Sequence, residues 1–300
     1  MKIDVYVPIL LSLLLAAVGP LVGRRVAPAL AARVLAVSAV FTAAATVWSL
    51  VLLAVTLIGQ APPVVADARD DGRPLPDPVP EVIAVAAALA LVLIAVRVYR
   101  AARAERLMRR ALRTLCAGHP PDTELIVAAS PVPQAFAIPG SGGAPGRILV
   151  TSAMLCALEP AERRVLLAHE RAHLTHRHAF LSTAVALAVA ADPLLVPVRT
   201  TVTFLMERWA DEQAADAVGD RSTTARALAR AALSAGRPAP SCALNFTDRA
   251  VTRRIAALQA SPPPHLWPLA ATTLALGALP TLGAADATGD LLRLLEHVLM

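Results

Sequence analysis

Three stretches in the first third of the chain are almost wholly apolar: residues 5–23, 34–58 and 80–99. Each is long enough, at about 1.5 Å per residue, to cross a hydrocarbon layer of about 30 Å. The first follows Lys2, so a cleaved signal peptide competes with a retained span. Arg24, Arg25 and Arg33 come after its apolar core, as in a cytoplasmic loop, and favour retention. The second carries no charge at all. After the third come Arg97, Arg100, Arg103, Arg106, Arg109, Arg110 and Arg113, which suit an aqueous juxtamembrane helix or one lying on anionic headgroups. The connection over residues 59–80 is instead rich in Pro and Asp, a stiff acidic loop without a core of its own. The positive-inside bias then puts residues 59–80 outside and everything from Arg97 in the cytoplasm. A further apolar run, residues 266–285 with Trp267 and Pro280, predicts a C-terminal span, and residues 286–300 a short tail.

Between residues 100 and 260 the pattern is that of a cytosolic α+β domain. Residues 124–129 and 147–151 are short strand-like runs, and a Gly-rich turn follows residues 135–138. Glu159-Pro160 opens a helix that continues past Val165, with proline at its first position. Residues 201–218, closed by Gly219, and residues 222–235, closed by Gly236, read as helices, followed by an amphipathic helix over 247–259. Residues 179–191 are apolar throughout and stop at Asp192-Pro193. That length fits either a buried core helix or a partly embedded segment over 179–198.

Composition agrees. The chain is 56% hydrophobic and 17% charged, against about 45–50% and about 25% for a soluble domain. The net charge of +6 comes almost entirely from arginines that flank apolar segments, with Lys2 the sole lysine. That placement points to a membrane surface and to no direct nucleic-acid partner. Cys116, Cys156 and Cys242 show no C-x-x-C spacing and read as reduced thiols.

The chemistry centres on His169, Glu170 and His173, an H-E-x-x-H pattern. On a helix, positions four apart share a face, so the two imidazoles can bind one Zn²⁺ per chain, with Glu170 beside them as general base. Catalytic zinc takes three protein ligands. A third histidine six residues after the second is excluded, since Ala179 stands there. The alternative is an acidic residue on helix 201–218, where Glu207, Asp211 and Glu212 compete. Glu207 and Asp211 share a face, whereas Glu212 is turned about 100° from Asp211. The longer Glu207 is assigned as ligand and Asp211 as the carboxylate orienting a ligand imidazole. His176 and His178 read as polar surface or substrate-side groups. Arg253 or Arg254 is the candidate oxyanion stabiliser.

Taken together, residues 168–173, Asp192-Pro193-Leu194 and the run Glu207-Arg-Trp-Ala-Asp resemble the membrane zinc metallopeptidases of the BlaR/MecR type. They are also similar to the related HtpX and CAAX-protease group. Residues 133–140 and 147–152 resemble the strand region those families place beside zinc, and residues 253–258 their Arg-containing segment. The resemblance implies zinc on His169, His173 and Glu207, with Glu170 as base and Asp211 behind a ligand. It also implies that Ala135, Phe136, Ala137 and Ile138 bind an extended substrate by strand addition. Gln134 departs from the Asn usual in the HtpX-like group, and no penicillin-binding domain follows the last apolar run, so a β-lactam receptor is not expected.

The expectation is therefore a mostly α, multi-pass bacterial cell-membrane protein. Its membrane domain covers residues 1–99 and its zincin-like metallopeptidase domain residues 100–260, within about four spans. It would cleave a cytoplasmic or membrane protein, such as a transcriptional repressor in a BlaR-like pathway. An HtpX-like quality-control protease and an inactive membrane scaffold are the alternatives. Both halves of the site must lie on one side of the bilayer, so segment 179–198 crosses it an even number of times or not at all.

Overall fold

Three helices account for the apolar runs: α1 (Val7–Arg25), α2 (Pro28–Gly59) and α3 (Glu81–Thr114). The computed structural model describes residues 7–59, 80–120, 122–140, 144–235, 244–261, 266–279 and 288. The acidic loop expected over 59–80 and the tail expected over 286–300 lie outside them, but for residues 59, 80 and 288. Only 11% of the apolar window of α3 is buried, and Val82, Leu89, Val92 and Leu93 are open on its surface. Such a continuous apolar face is explained by lipid around it. Together with the apolar windows of α1 and α2 it marks a membrane protein.

The third helix is longer than the expected span of 80–99 because nothing in the sequence stops it at Tyr99. The arginines beyond are good helix formers once outside an apolar layer. The helix ends at Thr114, shortly before Gly118, which takes a left-handed φ of 84°.

Its far end meets a small sheet of β1 (Leu125–Ala128), β2 (Ala135–Ile138) and β3 (Arg147–Thr151) in the order β1-β3-β2. The central strand pairs parallel with β1 and antiparallel with β2, with Phe136 opposite Leu149. One face of the sheet packs Ile126, Ile138 and Leu149 on Leu112 and Cys116 at the end of α3. The other sets Ile148 and Val150 against Met154 of α4 (Ser152–Ala157) and Leu174 of α5 (Pro160–Thr175). The second strand is thereby left at the sheet edge, beside α5.

After α5 the chain forms a helical hairpin of α6 (His178–Ala191), a short turn at Pro193–Leu195 and α7 (Val196–Val218). The second arm begins before the expected 201, since Pro197 sits in the first turn, where its missing N–H costs nothing. The hairpin packs within the long helices. Leu15, Val22 and Leu35 share a core with Val185, Leu195 and Leu205. Gly19 faces Val198, and a Cβ on Gly23 would come within 2.8 Å of Thr201, so α7 runs close beside α1 and parallel to it. At the tip, Asp192 is 2% exposed. It accepts hydrogen bonds from Ser12 Oγ at 2.6 Å and Thr46 Oγ1 at 3.1 Å. The tip is thus level with the middle of α2, roughly 20 Å along that helix from Arg33 at about 1.5 Å per residue. From there α7 returns toward the arginine-bearing ends.

Two further helices, α8 (Arg221–Ser234) and α9 (Leu244–Gln259), cover the lower part of α7. The run expected to span over 266–285 is helical over Trp267–Leu279, here α10, and the rest of it lies outside the described residues. Ser38 of α2 donates to the carbonyl of Thr273 at 3.1 Å, which docks α10 on the long helices. Among the described residues, three helices are long and apolar enough to span, and α10 is shorter.

Candidate metal centre

The first half of the site is set by the start of α5. Glu159 caps it through a reciprocal capping box with Glu162, and Pro160 occupies the first turn. Arg230 of α8 donates to both carboxylates, at 2.7 and 2.9 Å. From that fixed end His169 and His173 fall on one face, with their Nε2 atoms 3.1 Å apart. The second half comes from α7. Glu207 Oε2 lies 3.5 Å from His169 Nε2, and Oε1 lies 3.6 Å from His173 Nε2.

These three distances resemble the edges of a tetrahedron, about 3.4 Å for metal bonds of about 2.1 Å. Two imidazoles and one carboxylate fit zinc and leave its fourth position to water. Among the described residues, His169, His173 and Glu207 form the one group of donors close enough to hold a metal ion.

Asp211, one turn beyond Glu207, lies 3.1 Å from the far nitrogen of His169, Nδ1. Glu212 faces elsewhere and pairs with Arg221. The rotation of about 100° between adjacent helical positions is what divides these roles.

The two candidate arginines part company. Arg254 of α9 clamps Asp211 through Nε at 2.7 Å and Nη2 at 2.6 Å, while Nη1 lies 3.1 Å from Glu207. Its geometry is that of a bidentate carboxylate holder. Arg253 lies over the ring of Phe204, 4.3 Å from its centroid. No sequence signal distinguished these neighbours, because the rotational phase of α9 decides which one enters the site.

Electrostatics follow from burial and these contacts. Burial opposes charge on His169, yet hydrogen bonds with Asp211 and Glu207 prevail and raise its pKa to about 10. His173 is lowered to about 4, chiefly by burial. Burial works against the carboxylate of Glu207, but the hydrogen bond and charge of His169 and the charge of Arg254 hold it below the ordinary range. Asp211 is lowered in the same way by Arg254 and His169, against the effect of its burial.

Glu170 is 9% exposed. Burial pushes its carboxyl up, while the neighbouring His169 and the backbone N–H of Ala137 pull it down less strongly. That last contact brings β2 into the site. Ala135, Phe136, Ala137 and Ile138 form the edge strand, paired with β3 on one side only. Phe136 is exposed, and Gln134 is tied through its backbone to Thr151.

His178 departs most from the surface role expected of it. It is 3% exposed, and its Nδ1 lies 2.8 Å from Nδ1 of His173. His176 stacks on Trp209 with centroids 4.3 Å apart and contacts Gln213. Arg33 covers Trp209, 4.5 Å from the ring centroid. The signal for this cluster was two histidines closely following His173, and it did not reveal which face they take.

Comparison with known proteins gives one positive finding. The family model described as peptidase family M48 matches residues 99–271. No curated protein and no solved structure matches the chain.

Proposed function

The chain belongs to peptidase family M48, and from that premise we propose that it is an integral-membrane, zinc-dependent endopeptidase with its site facing the cytoplasm. The observation that carries this reading is the convergence of His169, His173 and Glu207 around one point, with Glu170 buried next to it. Zn²⁺ held by those three side chains would polarise the scissile carbonyl and acidify a water. Glu170 then takes the proton of the attacking water and passes it to the leaving amine. Its raised affinity for protons suits both halves of that task. Asp211, held by Arg254, keeps the ring of His169 turned toward the metal position.

The substrate is an extended segment of a cytoplasmic or membrane protein that adds to the open edge of β2. The contact of Ala137 with Glu170 supports this, because it sets that edge directly beside the base. Arg33 against Trp209 supports a site at the level of the arginine-rich helix ends, and the tip at Asp192 supports a hairpin that enters the bilayer and returns. A BlaR-like signalling protease would hold a cytoplasmic repressor in this groove, and an HtpX-like quality-control protease a damaged membrane protein. An inactive scaffold has no use for a buried base.

The test is reconstitution of the full chain in lipid vesicles with a casein or peptide substrate. Cleavage should stop on chelation and return with stoichiometric zinc. Cleavage that survives complete removal of metal contradicts the proposal. Native-membrane trapping with Glu170→Gln separates the two substrate classes.

A further inference from the structure

We infer that His178 is a positioning residue for the metal site, fixing the ring and the tautomer of His173 through an Nδ1–Nδ1 hydrogen bond. The inference rests on the proposed metal site of His169, His173 and Glu207. In that site His173 presents Nε2 to the other donors, 3.1 Å from His169 and 3.6 Å from Glu207. A metal ligand needs the lone pair of that nitrogen, so the ring proton must sit on Nδ1. The partner that meets it is Nδ1 of His178, at 2.8 Å. For His173 to donate there, His178 must offer a lone pair at Nδ1 and carry its own proton on Nε2. The contact thus specifies both tautomers once a metal is bound. His178 does for His173 what Asp211 does for His169, but as a neutral acceptor.

Two features show that the chain maintains this contact at a cost. Nε2 of His178 is buried and finds no hydrogen-bond partner among the described residues, a state that native proteins rarely tolerate without a function. Arg177, the second of the two residues between α5 and α6, adopts φ 52° and ψ 43°, and it is the one non-glycine residue with positive φ among those described. Such a conformation is disfavoured for a side chain of this kind. It turns the chain between the two helices and brings His178 back over His173, where the rings meet edge to face at 4.7 Å. Trp209 closes the other side of His178, with centroids 4.7 Å apart. At this position after a helix the left-handed residue is usually glycine, whereas here it is Arg177.

The experiment compares the full-length wild type with His178→Phe, which keeps a ring but removes the acceptor, and with His178→Asn, which restores an acceptor near the Nδ1 position. The probes are Zn²⁺ alone, measured by chelator competition, and Co²⁺ alone, whose visible bands report ligand geometry. The inference predicts that His178→Phe binds Zn²⁺ about 10–100-fold more weakly and alters the Co²⁺ spectrum. His178→Asn should recover most of both. Wild-type affinity and an unchanged spectrum in His178→Phe would overturn the inference while leaving the proposed function intact. A wild type that binds no Zn²⁺ would overturn the proposed function itself. If His178→Phe does not fold, ¹⁵N NMR of the zinc-loaded wild type decides. The inference requires Nδ1–H on His173 and Nε2–H on His178, and a proton on Nδ1 of His178 contradicts it.

Discussion

Oδ1 of Asp211 lies 3.1 Å from Nδ1 of His169, and the same carboxylate is gripped by Arg254 at 2.6 and 2.7 Å. The imidazole is therefore oriented by a group that is itself held from a different helix. Replacing Asp211 with Ala should weaken zinc binding by about 10–100-fold, although the three metal ligands stay in place. Chelator competition measures this, and an unchanged affinity would show that Asp211 does not orient the ring.

Zinc uptake should depend on pH with a defined sign. His169 is raised to about 10 in the metal-free protein by its hydrogen bonds with Asp211 and Glu207, against the effect of burial. Below that pH the ring is protonated and a metal ion must displace one proton. Affinity should then rise about tenfold per unit between about pH 7 and 9. His173, lowered to about 4, is already neutral there and adds no dependence. Proton release in titration calorimetry tests the count, and a flat profile contradicts it.

The two arginines of α9 should separate cleanly. Arg254→Ala leaves the buried Asp211 without its cation, which typically destabilises by about 3–5 kcal/mol, and excess zinc should partly restore function. Arg253→Ala removes only the contact with Phe204, worth about 0.5–1 kcal/mol. Thermal unfolding of both variants in detergent reads the difference. Equal losses would mean that the clamp is not the role of Arg254.

Asp192→Ala should loosen the hairpin from the long helices. It removes the acceptor for Ser12 and Thr46 and also the group that caps Leu194 at 3.1 Å. Ser12 and Thr46 can still donate to the carbonyls of Pro8 and Thr42, so a loss of about 0.5–1.5 kcal/mol is expected, that of an ordinary buried hydrogen bond. A melting temperature equal to that of the wild type would show that the polar tip contributes no stability.

Much of this was readable from residue spacing. His169, Glu170 and His173 declare themselves by the four-residue period, and Glu207 and Asp211 by sharing a second helix face. The apolar runs located α1, α2 and α3 because lipid demands length and hydropathy together. What the chain alone left open depends on tertiary phase. Arg253 and Arg254 are adjacent and chemically identical, so only the packing of α9 assigns the clamp. The apolar run after His178 was ambiguous because a membrane-facing helix and a buried one have the same composition. Its partners Ser12 and Thr46 lie far away in sequence. The burial of His178, against a place on the polar surface, has a related cause: a left-handed residue at Arg177 turns it back onto His173, and no periodicity anticipates that turn.

The central claim is that Glu170 is the base of a zinc peptidase, and Glu170→Gln tests it most directly. Wild type and variant are reconstituted in vesicles, and zinc content and cleavage of a casein or peptide substrate are measured on the same preparations. The account predicts equal zinc, one ion per chain, with cleavage reduced by about 10²–10⁴-fold in the variant. Cleavage at the wild-type rate by the zinc-loaded variant would contradict it.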